Sequence, residues 1–204
     1  MTLENALAGV HDHLRDALPP ETFAVLEADR RRAGATEFAE VGAKIEDFTL
    51  PGADGVPVSL GQLLADGPAV LVFYRGQWCP YCNLTLRTYQ RELWPELGKL
   101  GAALAAVSPQ RPDGSRPELE FPVLSDVGST VARRLGLSYP VSTVVREAME
   151  ALGTDLEAVN GTWELVHPAV VVVGRDRVIR FADVHPDFVT RTEPAQILEA
   201  VKSL

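Results

Sequence analysis

The sequence predicts an α/β protein in which helices flank a central mixed β-sheet, with a helical extension at the N-terminus. From Val41 onward, short apolar runs alternate with helical segments, a pattern that favours strands joined by helices. Residues 69–74 are apolar or aromatic throughout, as in a strand that is buried on both faces of a sheet. Residues 169–173 and 178–182 are apolar segments separated by a short turn, and we predict that they pair antiparallel.

Two helices are predicted before the sheet. The first carries an apolar stripe whose members recur every three or four residues: Leu3, Leu7, Val10, Leu14 and Leu18. Pro19 and Pro20 end this helix, and a second helical segment covers residues 21–32. We therefore divide the chain into a helical extension, residues 1–40, and a main domain, residues 41–204. Because the stripe needs a cover, we predict a homodimer or larger assembly to which this helix contributes apolar surface. The alternative is that the helix packs on its own main domain.

The main domain contains further predicted elements. Two short strands are expected at residues 47–50 and 56–60, on either side of a turn at residues 51–55, and a buried strand at residues 102–107. Helices are expected at residues 126–135 and 192–201. The helix after residue 82 runs to residue 97, with a kink at Pro95. Thr192 is the expected cap of the final helix, and Pro194 lies in its first turn. Residues 138–166 are interpreted as an inserted lid or an interface element.

Length, net charge and cysteine count limit the domain number and the kinds of binding partner that the chain can have. The chain has 204 residues and a mass of 22.1 kDa, enough for one domain and an extension. With a formal net charge of -9 it lacks the basic face that nucleic acid or an anionic membrane requires, so we expect neither partner. No apolar stretch approaches the about 20 residues that span a bilayer, and the acidic N-terminus does not resemble a secretory signal. Two cysteines make no disulfide framework, so we expect a cytoplasmic protein.

The main chemical signal is the motif Cys79-Pro80-Tyr81-Cys82, which follows the strand predicted at residues 69–74. Two thiols three residues apart on a first helical turn can close a small disulfide. Pro80 suits the first helical position and places Cys79 at the N-cap, where free N–H groups and the helix dipole stabilise a thiolate. Such sites lower a cysteine pKa from about 8.5 to about 3.5–7.5. The alternatives are two inert cysteines or a zinc site. A structural zinc site needs about four ligands, and only four scattered histidines could add to the two cysteines, so we expect no metal. We also expect no cofactor.

The motif lies in a longer segment, residues 73–84, with the sequence Phe-Tyr-Arg-Gly-Gln-Trp-Cys-Pro-Tyr-Cys-Asn-Leu. This segment resembles the active site of peroxiredoxin-like proteins of the alkyl hydroperoxide reductase and thiol-specific antioxidant (AhpC/TSA) family. Further segments resemble the family in the same order: residues 47–51, 107–109, 121–126, 131–136 and 187–198. The resemblance implies a thioredoxin-like fold from Val41 to the C-terminus. It also implies a thiol peroxidase that reduces hydrogen peroxide or organic hydroperoxides and is recycled by a thioredoxin- or glutathione-type donor.

The family pattern is only partly kept at the cysteines. Typical members use a Pro-x-x-x-Thr-x-x-Cys segment, whose cysteine falls on Cys82, threonine on Cys79 and proline on Arg75. They also use an arginine from a later strand, which falls near Pro168. A proline at that place is the thioredoxin arrangement, so we predict a cis bond between His167 and Pro168, in contact with the cysteine pair. The resemblance thus implies a hybrid site with a peroxiredoxin loop and a thioredoxin-like dithiol.

Four side chains near the motif are candidates for supporting roles. Arg75 either supplies the missing guanidinium, which lowers the thiolate pKa and binds a peroxide oxygen, or is a solvated loop residue. His167 either relays a proton as a neutral imidazole or is a satisfied structural histidine. Trp78 and Tyr81 are interpreted as an apolar wall that limits access to the sulfurs.

The leading functional prediction is a thiol-dependent peroxidase with a Cys79/Cys82 redox pair. A thiolate attacks the peroxide O–O bond, becomes a sulfenic acid and condenses with its partner to a disulfide. The alternatives are a thiol-disulfide oxidoreductase without peroxide specificity, which acts on disulfide substrates, and a non-enzymatic redox sensor. Loop length favours Cys82 as the attacking sulfur, whereas the cap position favours Cys79. We predict the lower pKa at Cys79, with Cys82 as its partner.

Overall fold

A five-stranded mixed sheet forms the centre of the computed structural model, which describes residues 2–32, 38–112, 114 and 118–204. Its strands follow in the order β5 (Val123–Ser125), β4 (Ala103–Ser108), β3 (Ala69–Phe73), β8 (Ala169–Val173) and β9 (Ile179–Val184). Strands β3, β4 and β5 run parallel, whereas β8 is antiparallel to both β3 and β9. The mixed sheet and the antiparallel C-terminal pair confirm the sequence prediction.

Two shorter strand pairs lie outside the central sheet. They are β1 (Thr49–Pro51) with β2 (Pro57–Ser59), and β6 (Ser138–Pro140) with β7 (Glu164–Val166), both antiparallel. The first pair confirms the two strands predicted around the turn at residues 51–55. The sequence did not predict the second pair, because each of its strands is only three residues long.

Helices cover both faces of the sheet. In chain order they are α1 (Leu3–Ala17), α2 (Pro20–Arg32), α3 (Leu60–Leu63), α4 (Pro80–Thr88), α5 (Trp94–Lys99), α6 (Thr130–Arg134), α7 (Thr143–Ala151), α8 (Leu156–Asn160) and α9 (Pro194–Lys202). Val70 and Val72 of β3 face a core shared with α1, α4, α5 and α9, whereas Leu71 and Phe73 face α3 and α6. Every residue of β3 is therefore buried, as its apolar run predicts. Among the described residues, every helix is too short or too polar to cross a bilayer.

The helical run after the cysteines is interrupted, as Pro95 predicts. Helix α4 gives way to a π-helical turn, Tyr89–Leu93, and α5 starts at Trp94. Pro95 has no N–H and lies in the first turn of α5, where that donor has no helical partner to lose. Tyr89 and Leu93 are fully buried, so the wide turn keeps both side chains in the core.

Helix α6 starts later than predicted. The sequence suggested a helix from residue 126, but the helix begins at Thr130. The Asp126 carboxylate accepts hydrogen bonds from the backbone N–H groups of Val131 and Ala132, at 3.0 and 2.9 Å. Asp126 therefore satisfies free donors of the helix from outside it.

The final helix has a different cap from the predicted one. Glu193 is the N-cap of α9 and forms a capping box with Gln196, while Pro194 holds the first helical position. Thr192 is not the cap, because its hydroxyl donates to the carboxylate of Asp183 at 2.9 Å.

The N-terminal helices pack on the rest of the chain. Helix α1 contacts α4, and its Leu3 and Leu7 are 3% and 2% exposed. Val10 and Leu14 pack, partly buried, against the same core. The apolar stripe is therefore covered within the chain and gives no reason for a second subunit. The division into extension and main domain stays a prediction, and residues 33–37 at its junction lie outside the described residues.

The segment 138–166 folds into β6, α7, α8 and β7. Helix α7 packs on α2, and its Val145 and Met149 share an apolar cluster with Leu26 of α2. Trp78 of the cysteine loop packs against the same cluster. This insert and the N-terminal extension therefore meet beside the cysteine motif.

Leu7→Ala is expected to lower the free energy of unfolding by about 2–5 kcal/mol, because it leaves a cavity in a covered part of the core. Leu14→Ala, at a half-buried position of the same stripe, is the matched control and is expected to cost less. Urea unfolding at two protein concentrations measures both losses. Equal losses, or a midpoint that rises with protein concentration, would show that a second subunit covers α1.

Candidate active site

The cysteine motif starts α4 just after strand β3. Cys79 is the N-cap, with extended backbone at φ -88° and ψ 114°, and Pro80 holds the first helical position. This placement confirms the prediction from the sequence. Both thiols are free, and Cys79 and Cys82 are 1% and 0% exposed. The core that includes Leu3 and Leu7 of α1 encloses both sulfurs.

The loop between β3 and α4 depends on Gly76. Its φ is +145°, and an added Cβ would lie 2.4 Å from Nε1 of Trp78. The next residue, Gln77, donates its backbone N–H to the side-chain oxygen of Gln110 at 2.7 Å. These constraints fix the loop that carries Arg75 and Trp78 beside the thiols.

Cys82 receives the hydrogen bonds of the pair. Nη2 of Arg191 donates to Cys82 Sγ at 3.2 Å. The backbone N–H of Arg75 and the thiol of Cys79 donate to the same sulfur. Burial alone raises the pKa of Cys82, but these hydrogen bonds and the two guanidinium charges outweigh burial and lower that pKa well below its usual range.

Cys79 has the opposite shift. Burial and the hydrogen bond and charge of Cys82 raise the pKa of Cys79 well above its usual value, and Arg75 and Arg191 offset only part of this. The Cys79 side chain accepts no capping hydrogen bond from the N–H groups of α4. The prediction that Cys79 has the lower pKa is therefore wrong. At Cys79 the helix N-terminus does not offset the effect of burial on the pKa, because the hydrogen-bond donors of the site point to Cys82 instead.

Arg75 is buried beside the two thiols and is not a solvated loop residue. Its guanidinium carbon lies 5.0 Å from the ring centroid of Trp78 and 4.4 Å from that of Phe188. Burial opposes its charge, but Tyr139 and the two cysteines outweigh burial and raise the pKa of Arg75, so it stays a cation. Among the described residues, its Nε and Nη2 have no hydrogen-bond partner. A buried cation with free donors is suited to binding an oxygen acceptor.

His167 is buried and uncharged. Its ring stacks on Tyr139 at 4.3 Å between centroids and meets Phe38 edge-on at 5.7 Å. Burial and the charge of Arg75 lower the pKa of His167 to about 4, so the imidazole is neutral at pH 7. Within the described part of the chain, Nδ1 of His167 has no hydrogen-bond partner. The ring therefore keeps a polar atom available near Arg75.

Pro168 does not have the predicted geometry. The His167–Pro168 bond is trans, as are the other described peptide bonds, so the prediction of a cis bond is wrong. The backbone is paired on both sides of this bond. The N–H of His167 donates to the carbonyl of Leu137, and the carbonyl of Pro168 accepts from the N–H of His185, both at 2.8 Å. These contacts lead the chain straight into β8, and only the dithiol remains of the expected thioredoxin-like features.

Tyr81 joins the motif to the N-terminal extension. Its hydroxyl lies 3.0 Å from Nδ1 of His11 on α1, and its ring centroid lies 5.9 Å from that of Phe188. Burial raises the pKa of Tyr81 to about 12, so the hydroxyl stays protonated. The structure thus brings Arg75, Trp78 and Tyr81 together around the cysteines.

Comparison with known proteins identifies the family. The AhpC/TSA family profile matches residues 41–182. Two relatives from Mycobacterium tuberculosis (strains CDC 1551 and H37Rv), both named as candidate peroxiredoxins, are 34% identical over 103 residues. That match covers 48% of this chain and 66% of each relative, just under two thirds of their length. The chain belongs to the AhpC/TSA family.

Solved structures show the fold of this AhpC/TSA protein. Peroxidoxin BcpB from Mycobacterium tuberculosis aligns with a TM-score of 0.63 and 22% identity, covering 81% of this chain and 97% of that one. AhpC from Enterococcus faecalis aligns with a TM-score of 0.61 and 15% identity, covering 80% and 90% of the two chains. A mitochondrial 2-Cys peroxiredoxin from Plasmodium falciparum gives a TM-score of 0.61 at 13% identity, covering 80% and 93%. The thioredoxin-like fold implied by the sequence resemblance is confirmed.

Sequence reasoning missed Arg191 of this AhpC/TSA protein. The residue lies 109 positions after Cys82, and no local pattern links the two. One signal was available, because Arg191 is the only cation in the family-like segment 187–198. Its Nη1 donates to the carbonyl oxygens of Phe188 and Thr190, at 2.6 and 2.5 Å. The loop carbonyls thus hold one side of the guanidinium while the other side faces the sulfur.

His185 fixes the loop around Arg191. Its Nδ1 lies 2.8 Å from Oγ1 of Thr190, and its Nε2 lies 3.2 Å from Oγ1 of Thr192. Asp183 lies 3.2 Å from the same Nε2. One imidazole therefore bonds both residues that flank the arginine, which makes His185 a positioning residue for Arg191.

Arg191→Ala is expected to raise the pKa of Cys82 by about 1–2 units. The lost charge-assisted hydrogen bond is worth about 1.5–3 kcal/mol, and one pKa unit corresponds to about 1.4 kcal/mol. Thiolate absorbance, titrated in a Cys79→Ser background, measures the shift. Arg180→Ala, which removes an exposed arginine of β9, is the control. An unchanged pKa in Arg191→Ala would contradict the role assigned to this residue.

His185→Ala is expected to raise the same pKa by a smaller amount, because the loop loses its alignment but Arg191 keeps its charge. His185→Asn retains a polar side chain and is expected to restore part of the shift. His13→Ala, on the exposed surface of α1, is the matched control. A shift as large as that of Arg191→Ala, or none at all, would rule out a positioning role.

Proposed function

We propose that this chain, a thiol peroxidase by family, reduces hydroperoxides with Cys82 as the attacking thiolate and Cys79 as its resolving partner. The observation that carries the proposal is the contact of Arg191 Nη2 with Cys82 Sγ at 3.2 Å. A guanidinium beside a buried sulfur keeps that sulfur ionised near neutral pH and offers donors to peroxide oxygens. The AhpC/TSA profile and the peroxiredoxin fold support the same chemistry.

In the first step, the Cys82 thiolate attacks the terminal oxygen of a hydroperoxide, R–O–O–H. An S–O bond forms and the O–O bond breaks, so the sulfur is oxidised to Cys–S–OH and the other oxygen leaves as RO⁻. The unpartnered donors of Arg75 stabilise the negative charge that develops on this oxygen. RO⁻ takes one proton from solvent to become an alcohol or water, and His167, which is neutral because its pKa is about 4, relays that proton.

In the second step, the Cys79 thiol attacks the sulfenic sulfur. The S–S bond forms, the S–O bond breaks, and the hydroxyl leaves as water with the proton of Cys79. Cys79 is the N-cap of α4 and Cys82 lies in its first turn, so the two sulfurs need little movement to bond. A thioredoxin- or glutathione-type donor then returns two electrons and two protons by thiol–disulfide exchange. A dithiol that is re-reduced in every turnover fits a reducing compartment, so we place the reaction in the cytoplasm.

Burial favours a peroxidase over a general disulfide oxidoreductase. Both sulfurs are enclosed, and a small peroxide reaches them more easily than a protein disulfide does. A redox sensor would be oxidised once by peroxide without turnover, and the experiment below separates it from an enzyme.

Cys79→Ser protein treated with hydrogen peroxide is expected to form a dimedone adduct at Cys82, because this sulfur keeps its activating donors. Cys82→Ser is the matched control and is expected to react much more slowly at Cys79. The rate in Cys79→Ser should change little between pH 6.5 and 8.5, whereas a cysteine with an unperturbed pKa of about 8.5 gains about tenfold per pH unit below it. Mass spectrometry and stopped-flow kinetics measure these outcomes.

Three results would contradict the proposal. Faster adduct formation at Cys79 than at Cys82 would reverse the assignment of the two sulfurs. Stoichiometric oxidation of the wild-type chain without turnover by a thioredoxin or glutathione system would favour a sensor. Faster reduction of insulin disulfides than of hydrogen peroxide would favour a disulfide oxidoreductase.

A further inference from the structure

Glu193 joins the loop that carries Arg191 to the N-terminal helix α1. We call this loop, residues 185–193, the arginine loop. The Glu193 carboxylate accepts hydrogen bonds from the backbone N–H of Leu3 at 3.1 Å and from that of Glu4 at 2.9 Å. These are the first two N–H groups of α1, which have no partner inside the helix. A negative charge also suits the positive end of the helix dipole, so this contact fastens α1 to the arginine loop.

The backbone of Glu193 is held from its other side by α9. Its N–H donates to the side-chain oxygen of Gln196 at 3.0 Å, and Glu193 is the N-cap of this helix. Pro194 follows directly, is buried, and restricts the backbone at the start of α9. Glu193 therefore stands between two helices, with its side chain on α1 and its backbone on α9.

The anchor at Glu193 is close to the guanidinium of Arg191. Only Thr192 separates the two residues, and Thr192 is 1% exposed. Nη1 of Arg191 donates to the carbonyl oxygens of Phe188 and Thr190, which belong to the backbone of the arginine loop. Because the loop backbone holds the guanidinium, a displacement of the loop displaces the guanidinium with it.

Helix α1 is packed on the core that surrounds the thiols. Leu3 and Leu7 share one buried cluster with Cys79 and Cys82, and α1 contacts α4. Leu3 thus gives its side chain to this core and its N–H to Glu193. The two parts of the site, the helix with the sulfurs and the loop with the guanidinium, are therefore both fastened to α1.

The contact between Arg191 and Cys82 tolerates little movement. Nη2 lies 3.2 Å from Sγ, and a hydrogen bond weakens steeply when its geometry is disturbed. A misplacement of about 1 Å at a reacting group can lower a rate about 100-fold. A small shift of the arginine loop is therefore enough to change the reactivity of the sulfur.

We infer that Glu193 is a positioning residue through which α1 keeps Arg191 within hydrogen-bonding distance of Cys82. The inference rests on the proposed function, in which Cys82 is the attacking thiolate. Both Glu193 and α1 lie outside residues 41–182, which match the family profile. The site thus draws part of its support from regions that are additional to the matched one.

Removal of the Glu193 carboxylate affects Cys82 in two ways that have opposite signs. Loss of a nearby negative charge by itself lowers the pKa of a thiol, because the thiolate meets less repulsion. Displacement of Arg191 raises that pKa, because the thiolate loses a charged hydrogen bond. A rise in the pKa of Cys82 therefore reports the positioning effect, and removal of charge alone does not produce it.

The test titrates thiolate absorbance in a Cys79→Ser background. Glu193→Ala is expected to raise the pKa of Cys82 by about 0.5–1 unit, because the bond from Arg191 is weakened and not lost. Glu193→Gln keeps an oxygen acceptor for α1 and is expected to restore part of the shift. Glu199→Ala removes the same charge from an exposed position of α9 and is the matched control, with an unchanged pKa.

Thr2→Ala separates positioning from the stability of α1. The Thr2 hydroxyl caps the same helix by accepting the N–H of Asn5 at 3.3 Å, but Thr2 does not belong to the arginine loop. Thr2→Ala and Glu193→Ala are both expected to lower the urea midpoint, and only Glu193→Ala is expected to raise the pKa of Cys82.

Three results would overturn the inference and leave the peroxidase in place. They are an unchanged or lowered pKa in Glu193→Ala, an equal rise in Thr2→Ala, and an equal rise in Glu199→Ala. The titration needs no peroxide, so it is independent of turnover. If hydrogen peroxide does not oxidise Cys82 in the wild-type chain, the proposed function itself fails.

Discussion

The contact between Arg191 and Cys82 is the interaction on which the organisation of the site depends. It joins the first turn of α4 to the loop between β9 and α9, two regions that are distant in sequence. Tyr89 of the π-helical turn supports this junction, because its hydroxyl donates to the carbonyl of Thr192 at 2.6 Å. The helix that carries the sulfur and the loop that carries the guanidinium are thus tied together at two points.

The asymmetry of the dithiol follows from where the donors lie. Cys79 and Cys82 are equally buried and share one helical turn, so burial and the helix dipole alone do not explain opposite pKa shifts. The difference arises because the hydrogen bonds from Arg191 and from the backbone N–H of Arg75 reach only Cys82, whereas the two guanidinium charges act on both sulfurs. Burial removes water from a thiolate and so destabilises it strongly. The charge-assisted hydrogen bond from Arg191 offsets this loss at Cys82, and Cys79 has no such bond among the described residues.

Features encoded by local sequence were predictable, and features made by distant segments were not. The apolar run at residues 69–74, the position of Pro80 at the start of α4 and the interruption at Pro95 each follow from nearby residues. The role of Arg191 depends on a contact across 109 residues, so no spacing rule revealed it. The burial of both thiols was equally hidden, because part of their cover comes from Leu3 and Leu7 of α1, which are distant in sequence. The isomer of the bond before Pro168 was hidden as well, because an X–Pro bond can be cis or trans and the neighbouring residues do not decide which.

The ion pair between Arg30 and Asp187 links α2 to the loop that carries Arg191. Arg30 belongs to α2, and Asp187 belongs to the same loop as Arg191. If α2 moves away from the core, it must either break this pair or draw the loop with it. In the second case the guanidinium of Arg191 is drawn away from the sulfur of Cys82. Because that guanidinium lowers the pKa of Cys82, a thiol that loses it is a weaker nucleophile at neutral pH. The position of α2 therefore bears on the reactivity of a sulfur with which it shares no hydrogen bond in the described part of the chain.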